Sequence, residues 1–162
     1  MVDIYIKENK ESVSNPQFWA NRIKEFRGAV DFSIYTGRLS EITITHKTII
    51  NNFIKSNDNV IDIGCGYGRM APLFKYYLGI DFSPEYISIA KDKYPEKDFI
   101  LVDDFFNFNT NKKYDWALLV GIGNMVKNYA PDKWDSFIKG IKSYANRILI
   151  LEMDEPDKYE IL

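Results

Sequence analysis

The ten residues Val60-Ile61-Asp62-Ile63-Gly64-Cys65-Gly66-Tyr67-Gly68-Arg69 constrain the fold more than any other stretch of the chain. A short apolar run of strand length passes straight into three glycines at alternate positions. An apolar spacing of helical type (Met70, Leu73, Phe74, Tyr77) then begins at once. Glycines let a backbone turn sharply and approach a ligand with no Cβ in the way. A helix opening directly after them would aim its free N–H groups and the positive end of its dipole at that ligand. A glycine-rich turn without a ligand is the plainer reading, but it leaves an acid, Asp62, unexplained inside a buried strand.

From this point on, strands and helices alternate. Apolar runs fall at Val60–Ile63, Leu78–Ile80, Phe99–Val102, Trp116–Val120 and Ile148–Leu151. Between them lie helical stretches marked by Tyr86, Ile87, Ala90 and Tyr94, and by Trp134, Phe137, Ile138, Ile141 and Ala145. Ser83-Pro84-Glu85 opens the first of these with a cap, a first-turn proline and an acid at the positive end of the dipole. Such alternation predicts βαβ units and a parallel sheet, and right-handed crossovers then place helices on both faces. Upstream, Ser14-Asn15-Pro16 opens a helix carrying Phe18, Trp19, Ile23 and Phe26. Ser40 is expected to cap a second, with Ile42, Ile49, Ile50 and Phe53 on one face.

With 162 residues, 46% of them hydrophobic, the chain suits one domain. It divides into an N-terminal helical lid or cap segment (1–56), a core (57–152) and a tail (153–162). A single cysteine, Cys65, excludes an intramolecular disulfide, and with a single histidine, His46, no metal site is expected. A net charge of −2 with acids and bases interleaved speaks against a nucleic-acid partner. Neither a signal peptide nor a run of ~20 apolar residues is present, so the expectation is a cytoplasmic protein that does not cross a membrane.

A nucleotide site also needs a carboxylate at the end of the second strand for ribose hydroxyls, and Leu78-Gly79-Ile80-Asp81 provides it. The dinucleotide fingerprint G-x-G-x-x-G is not met, because Arg69 follows Gly68. Asp62, just before the first glycine, is also badly placed for a pyrophosphate. It suits a ligand that carries positive charge.

Asp62-Ile63-Gly64-Cys65-Gly66-Tyr67-Gly68 and Gly79-Ile80-Asp81-Phe82-Ser83 resemble the first two motifs of the class I S-adenosylmethionine-dependent methyltransferases. Phe99–Phe105 and Tyr114–Ala117 continue the resemblance, which covers about residues 58–152. It implies a Rossmann-like three-layer α/β/α fold with S-adenosylmethionine as cofactor. It also implies a cofactor set of Asp62, Gly64, Cys65, Gly66, Gly68, Asp81, Phe82, Asp103, Asp104, Phe105 and Gly121. In that set the three glycines floor the methionine part, Asp62 meets the ammonium and Asp81 holds the ribose. Phe82 lies against adenine, Asp103 accepts from its amine, backbone groups around Asp104 and Phe105 finish its edge, and Gly121 faces the sulfonium.

The family sheet has seven strands, the last two forming an antiparallel hairpin. Glu152–Leu162 is too short to supply a helix and two strands. A mostly parallel sheet of about five strands in the order 3-2-1-4-5 is therefore expected, without that hairpin. Its outer edge must be covered by the N-terminal segment, by the tail, or by a second copy in a homodimer.

Ligands sit beyond the carboxyl ends of parallel strands. Gly121-Ile122-Gly123-Asn124 and Glu152 therefore face the acceptor, with Tyr35 and Arg38 in the lid as further substrate residues. No catalytic residue is fixed by the sequence. His46, Asn124 and Glu152 are the candidates, although His46 also fits a packed helix face, Cys65 a packed thiol and Arg38 an ordinary surface side chain. The motifs of DNA amino-methylases and cytosine-carbon methylases are absent, which leaves a small-molecule acceptor as the default. Proteins that cleave or sense the cofactor, and nucleotide-binding proteins of similar fold, stay open as alternatives.

Overall fold

Runs rich in Val, Ile and Leu become inner strands only if both of their faces are covered, and that requirement shapes the core. The computed structural model describes residues 38–162, with side chains from Glu41 onward except that of Tyr129. The helix expected at 14–26, Tyr35 and the side chain of Arg38 lie outside the described residues. The elements are α1 (Arg38–Phe53), β1 (Asn59–Ile63), β2 (Tyr76–Asp81), α2 (Pro84–Lys93), β3 (Asp98–Leu101), β4 (Tyr114–Val120), α3 (Gly123–Tyr129), α4 (Trp134–Lys142), β5 (Ala145–Leu151) and β6 (Tyr159–Ile161). They build one sheet in the order β3-β2-β1-β4-β5-β6, parallel from β3 to β5.

Alternation along the strands divides the core in two. Val60, Tyr77, Phe99, Trp116, Leu118 and Leu149 meet α1 and α2 on one face through Ile49, Ile50, Ile87 and Ala90. Ile61, Ile63, Ile80, Leu119, Ile148 and Ile150 meet α3 and α4 on the other through Val126, Phe137 and Ile141. The result is the Rossmann-like α/β/α sandwich, and it leaves the carboxyl ends of β1, β2, β4 and β5 along one edge. Ser83 caps α2 as expected, its side chain accepting from the Tyr86 amide.

Three expectations are corrected. The sheet has six strands rather than five, because Tyr159–Ile161 pairs antiparallel with β5. Of the three ways to cover that edge, the tail is the one observed. Leu162 and Ile148 exchange backbone hydrogen bonds of 2.9 and 3.0 Å, Tyr159 lies against Phe53 at 5.0 Å, and Glu160 pairs with Lys127 at 3.0 Å. A three-residue strand with a central acid has no sequence signal; it forms because β5 offers unpaired backbone groups.

Second, no α-helix follows the glycine loop, and Ala71–Leu73 makes only a short 3₁₀ turn. Residues 69–75 must return to the start of β2, a distance of about 16 Å for a strand of this length. A helix of those residues would advance only about 10 Å. Tyr77, expected on that helix, lies in β2. Third, the helix assigned to a Ser40 cap already starts at Arg38. In addition, α3 fills residues 123–129, which no expected element covered.

Candidate functional site

The glycine loop is stitched to the neighbouring strand. The Gly64 and Cys65 amides both donate to the Ile80 carbonyl, at 2.9 and 3.0 Å. The Gly66 amide donates to Asp81 Oδ2 at 2.9 Å, and the Ser83 amide to Asp81 Oδ1 at the same distance. Burial pushes the Asp81 carboxyl up from its ordinary range, while these amides favour its charged form. Gly64 has φ +71°, and a Cβ there would stand 2.4 Å from Ile122 Cδ1, so no other residue fits. Gly66 is the contrast: nothing lies within 4 Å of where its Cβ would be. Its backbone is open on that side.

Asp62 lies behind the loop and is 2% exposed. Its Oδ2 accepts from the Tyr77 hydroxyl at 2.7 Å, while Oδ1 has no partner among the described residues. Burial pushes the carboxyl up to about 7, against the pull of the Tyr77 hydrogen bond and the charge of Arg69. Arg69 itself reaches away from the loop, donating to Thr43 Oγ1 on α1 at 2.8 Å and to Met153 Sδ at 3.4 Å. Sequence reasoning missed this tie, since nothing local to Arg69 points to residues so distant in the chain.

The three catalytic candidates come together at the ends of β4 and β5. Glu152 Oε1 accepts from the Asn124 amide at 2.7 Å, and the Glu152 carbonyl accepts from His46 Nε2 at 3.0 Å. Asn124 Nδ2 also donates to Asp154 at 3.3 Å. Burial pushes the Glu152 carboxyl up to about 7, and Asp154 and Glu160 add to the shift while Lys127 opposes it. Burial holds His46 down at about 4, so its ring is neutral at physiological pH and a poor proton acceptor. Gly123 makes room for the Glu152 carboxylate, because a Cβ there would lie 2.4 Å from Oε1.

The remaining predicted residues are spread around the same edge. Phe82 is half-buried with its ring 5.6 Å from Phe105, whose side chain is buried in the core. Asp103 is exposed, two residues past β3. The Asp104 carboxylate is spent locally on the Phe106 amide and Asn107 Nδ2, both at 2.8 Å. Cys65 faces the core against Gly79, and burial raises its thiol well above the usual range, so it packs. Gly121 has Met153 in front of it, with Cγ 3.0 Å from a Cβ position, so its open side is already covered by a flexible side chain. A groove of about 410 Å³ lined by Lys75, Lys97 and Lys112 opens at the opposite edge, near the first residues of β1, β2 and β3, away from these groups.

Residues 61–140 match the methyltransferase domain family. The Rossmann-like core is thus similar to methyltransferase domains. An uncharacterised protein of Methanocaldococcus jannaschii is 36% identical over 75 residues, 46% of this chain and 30% of that protein. A protein of Invertebrate iridescent virus 6 with a provisional methyltransferase name is 41% identical over 68 residues, 38% of this chain and 25% of its own length. The chain thus spans about a quarter to a third of these curated relatives. Among solved structures, a TehB-like methyltransferase of Corynebacterium glutamicum shares the fold at TM-score 0.58 and 21% identity, over 83% of this chain and 71% of that one. The magnesium protoporphyrin IX methyltransferase of Synechocystis, solved with bound S-adenosylmethionine, does so at 0.55 and 20%, over 68% and 56%. No described helix is long and apolar enough to cross a membrane.

Proposed function

We propose that this chain binds S-adenosylmethionine over the ends of β1 and β2 and transfers its methyl group to a small-molecule acceptor held near β4 and β5. The observation that carries this reading is the orphaned Asp62 Oδ1. A buried acceptor without a donor costs about 1–3 kcal/mol, so a donor belongs there. The ammonium of the cofactor's methionine end is such a donor, and it also favours the charged carboxylate. A pyrophosphate at the same place would set anion against anion.

The other residues fit the same ligand. The open backbone of Gly66, beside Gly64 and Gly68, takes the methionine part. Asp81 holds its two amides and, with about four lone-pair sites, still has capacity for ribose hydroxyls. Phe82, Asp103 and the backbone of Asp104 and Phe105 take the adenine. When bound, the cofactor supplies a methyl group on a good leaving group, so the chain's task is largely positioning and exclusion of water. Glu152, poised near neutrality beside Asn124, is the group suited to accept a proton from the acceptor. Tyr35 and Arg38 serve the acceptor side in this reading.

Calorimetric titration with S-adenosylmethionine, its demethylated product and NAD tests the proposal. Binding of the first two without NAD is expected. Binding of NAD alone would overturn it, and acceptor-independent breakdown of S-adenosylmethionine would replace transfer by cleavage.

A further inference from the structure

A second buried acceptor lacks a donor, and it lies outside the segment that matches the family. His46 is fully buried on α1, its Nε2 is 3.0 Å from the Glu152 carbonyl, and its Nδ1 has no partner among the described residues. A carbonyl only accepts, so Nε2 carries the hydrogen and Nδ1 of the neutral ring is a bare lone pair. The ring is thereby locked in one tautomer with its acceptor turned to an empty place in the hydrogen-bond pattern.

His46 lies on the same face of the sheet as Asp62. The Asp62–Tyr77 pair belongs to the sheet face that Ile49 and Ile50 of α1 cover, and His46 precedes Ile50 by one helical turn. Thr43, three residues before His46, receives the Arg69 guanidinium. The charge of Arg69 is felt by Asp62 and by His46 alike. Asp62 from β1 and His46 from α1, both buried, are thus linked through the half-buried Arg69 of the glycine loop. Together they hold two acceptors without donors.

We infer that His46 Nδ1 is a cofactor-binding atom, accepting from the ammonium of S-adenosylmethionine, directly or through one water, while Asp62 Oδ1 accepts from the same ammonium. The inference rests on the cofactor site proposed above. It uses two of the three N–H donors of an ammonium, one more than Asp62 Oδ1 alone would employ. It also explains a neutral histidine here, since an imidazolium would repel both Arg69 and the ligand.

The chain has one histidine, so a ¹⁵N-labelled sample of the full chain shows a single pair of imidazole nitrogens. Titration with S-adenosylmethionine should move the Nδ1 resonance upfield, toward a hydrogen-bonded lone pair. 5′-Deoxy-5′-methylthioadenosine, which lacks the amino-acid end, should bind and leave it in place. His46→Gln keeps a donor for the Glu152 carbonyl and drops the Nδ1 acceptor. It should weaken S-adenosylmethionine about tenfold, as for a hydrogen bond to a charged group, and methylthioadenosine less than twofold. His46→Asn, which returns an acceptor near Nδ1, should recover most of that selectivity. An Nδ1 signal unmoved by saturating S-adenosylmethionine, or moved equally by both ligands, would overturn the inference and leave the cofactor site standing. If neither ligand binds, both readings fall.

Discussion

The loops after β1 and after β4 are built alike and read differently. In each, a strand ends in a left-handed glycine, Gly64 or Gly121, with φ +71° and +74°. In each, a carboxylate from the end of the neighbouring strand takes a backbone amide of the loop, Asp81 from Gly66 at 2.9 Å and Glu152 from Asn124 at 2.7 Å. The difference lies in what the carboxylates have left. Asp81 is 5% exposed and holds two loop amides. Glu152 is half-buried, holds one amide through Oε1, and sits near neutrality at about 7. In the proposed function one device would therefore serve two purposes: on the β1 side fixing a ligand floor, and on the β4 side leaving a group free to exchange a proton.

The strongest way to break this comparison is to fill the glycines. Gly64→Ala combines a left-handed φ with a contact at 2.4 Å, and should cost about 2–4 kcal/mol and abolish cofactor binding. Gly123→Ala meets only the movable Glu152 carboxylate and Ile150 Cγ2, and should cost about 1–3 kcal/mol with binding retained. Urea midpoints and calorimetry separate the two.

Neutralising the carboxylates sharpens the contrast. Asp81→Asn should weaken S-adenosylmethionine by roughly 100-fold, the worth of about two charge-assisted hydrogen bonds. Glu152→Gln should change that affinity less than twofold while removing a kcat limb near pH 7.

The pH dependence follows from Asp62. Its folded-state pKa is raised to about 7, so its contribution to the stability of the free protein is full at acid pH, below the unfolded value, and fades as pH rises toward 7. A bound ammonium favours the charged form, so cofactor affinity should rise with pH up to about 7, with proton release, and Asp62→Asn should flatten that rise. Titrations in buffers of different ionisation enthalpy read both. The smallest effect is expected of Gly66→Ala, where only φ +55° opposes a side chain, at about 1 kcal/mol of stability. Its cofactor affinity should fall by more than its stability suggests.

Much of the β1–β2 half was legible in advance because its signals are local. The glycines, Asp62 and Asp81 stand within twenty residues, and the strand order follows from alternation with helices. The β4–β5 half was named residue by residue, yet its assembly was not. Asn124 and Glu152 meet across 28 residues, and His46 and Glu152 across 106. The helix expected after Gly68 failed for a reason of distance, since a helical spacing in residues 70–77 says nothing of how far the chain must travel before β2.

The sequence alone therefore determined the alternating α/β architecture, the central strand and the acid-glycine-acid series of the cofactor edge, each set by residues close together in the chain. Tertiary structure alone decided the sixth strand, the reach of Arg69 to α1 and Met153, and the pairing of Glu152 with Asn124 and His46. These depend on which unpaired backbone edge, buried charge or open lone pair a distant segment can satisfy, and that is known only once the sheet has brought the segments together.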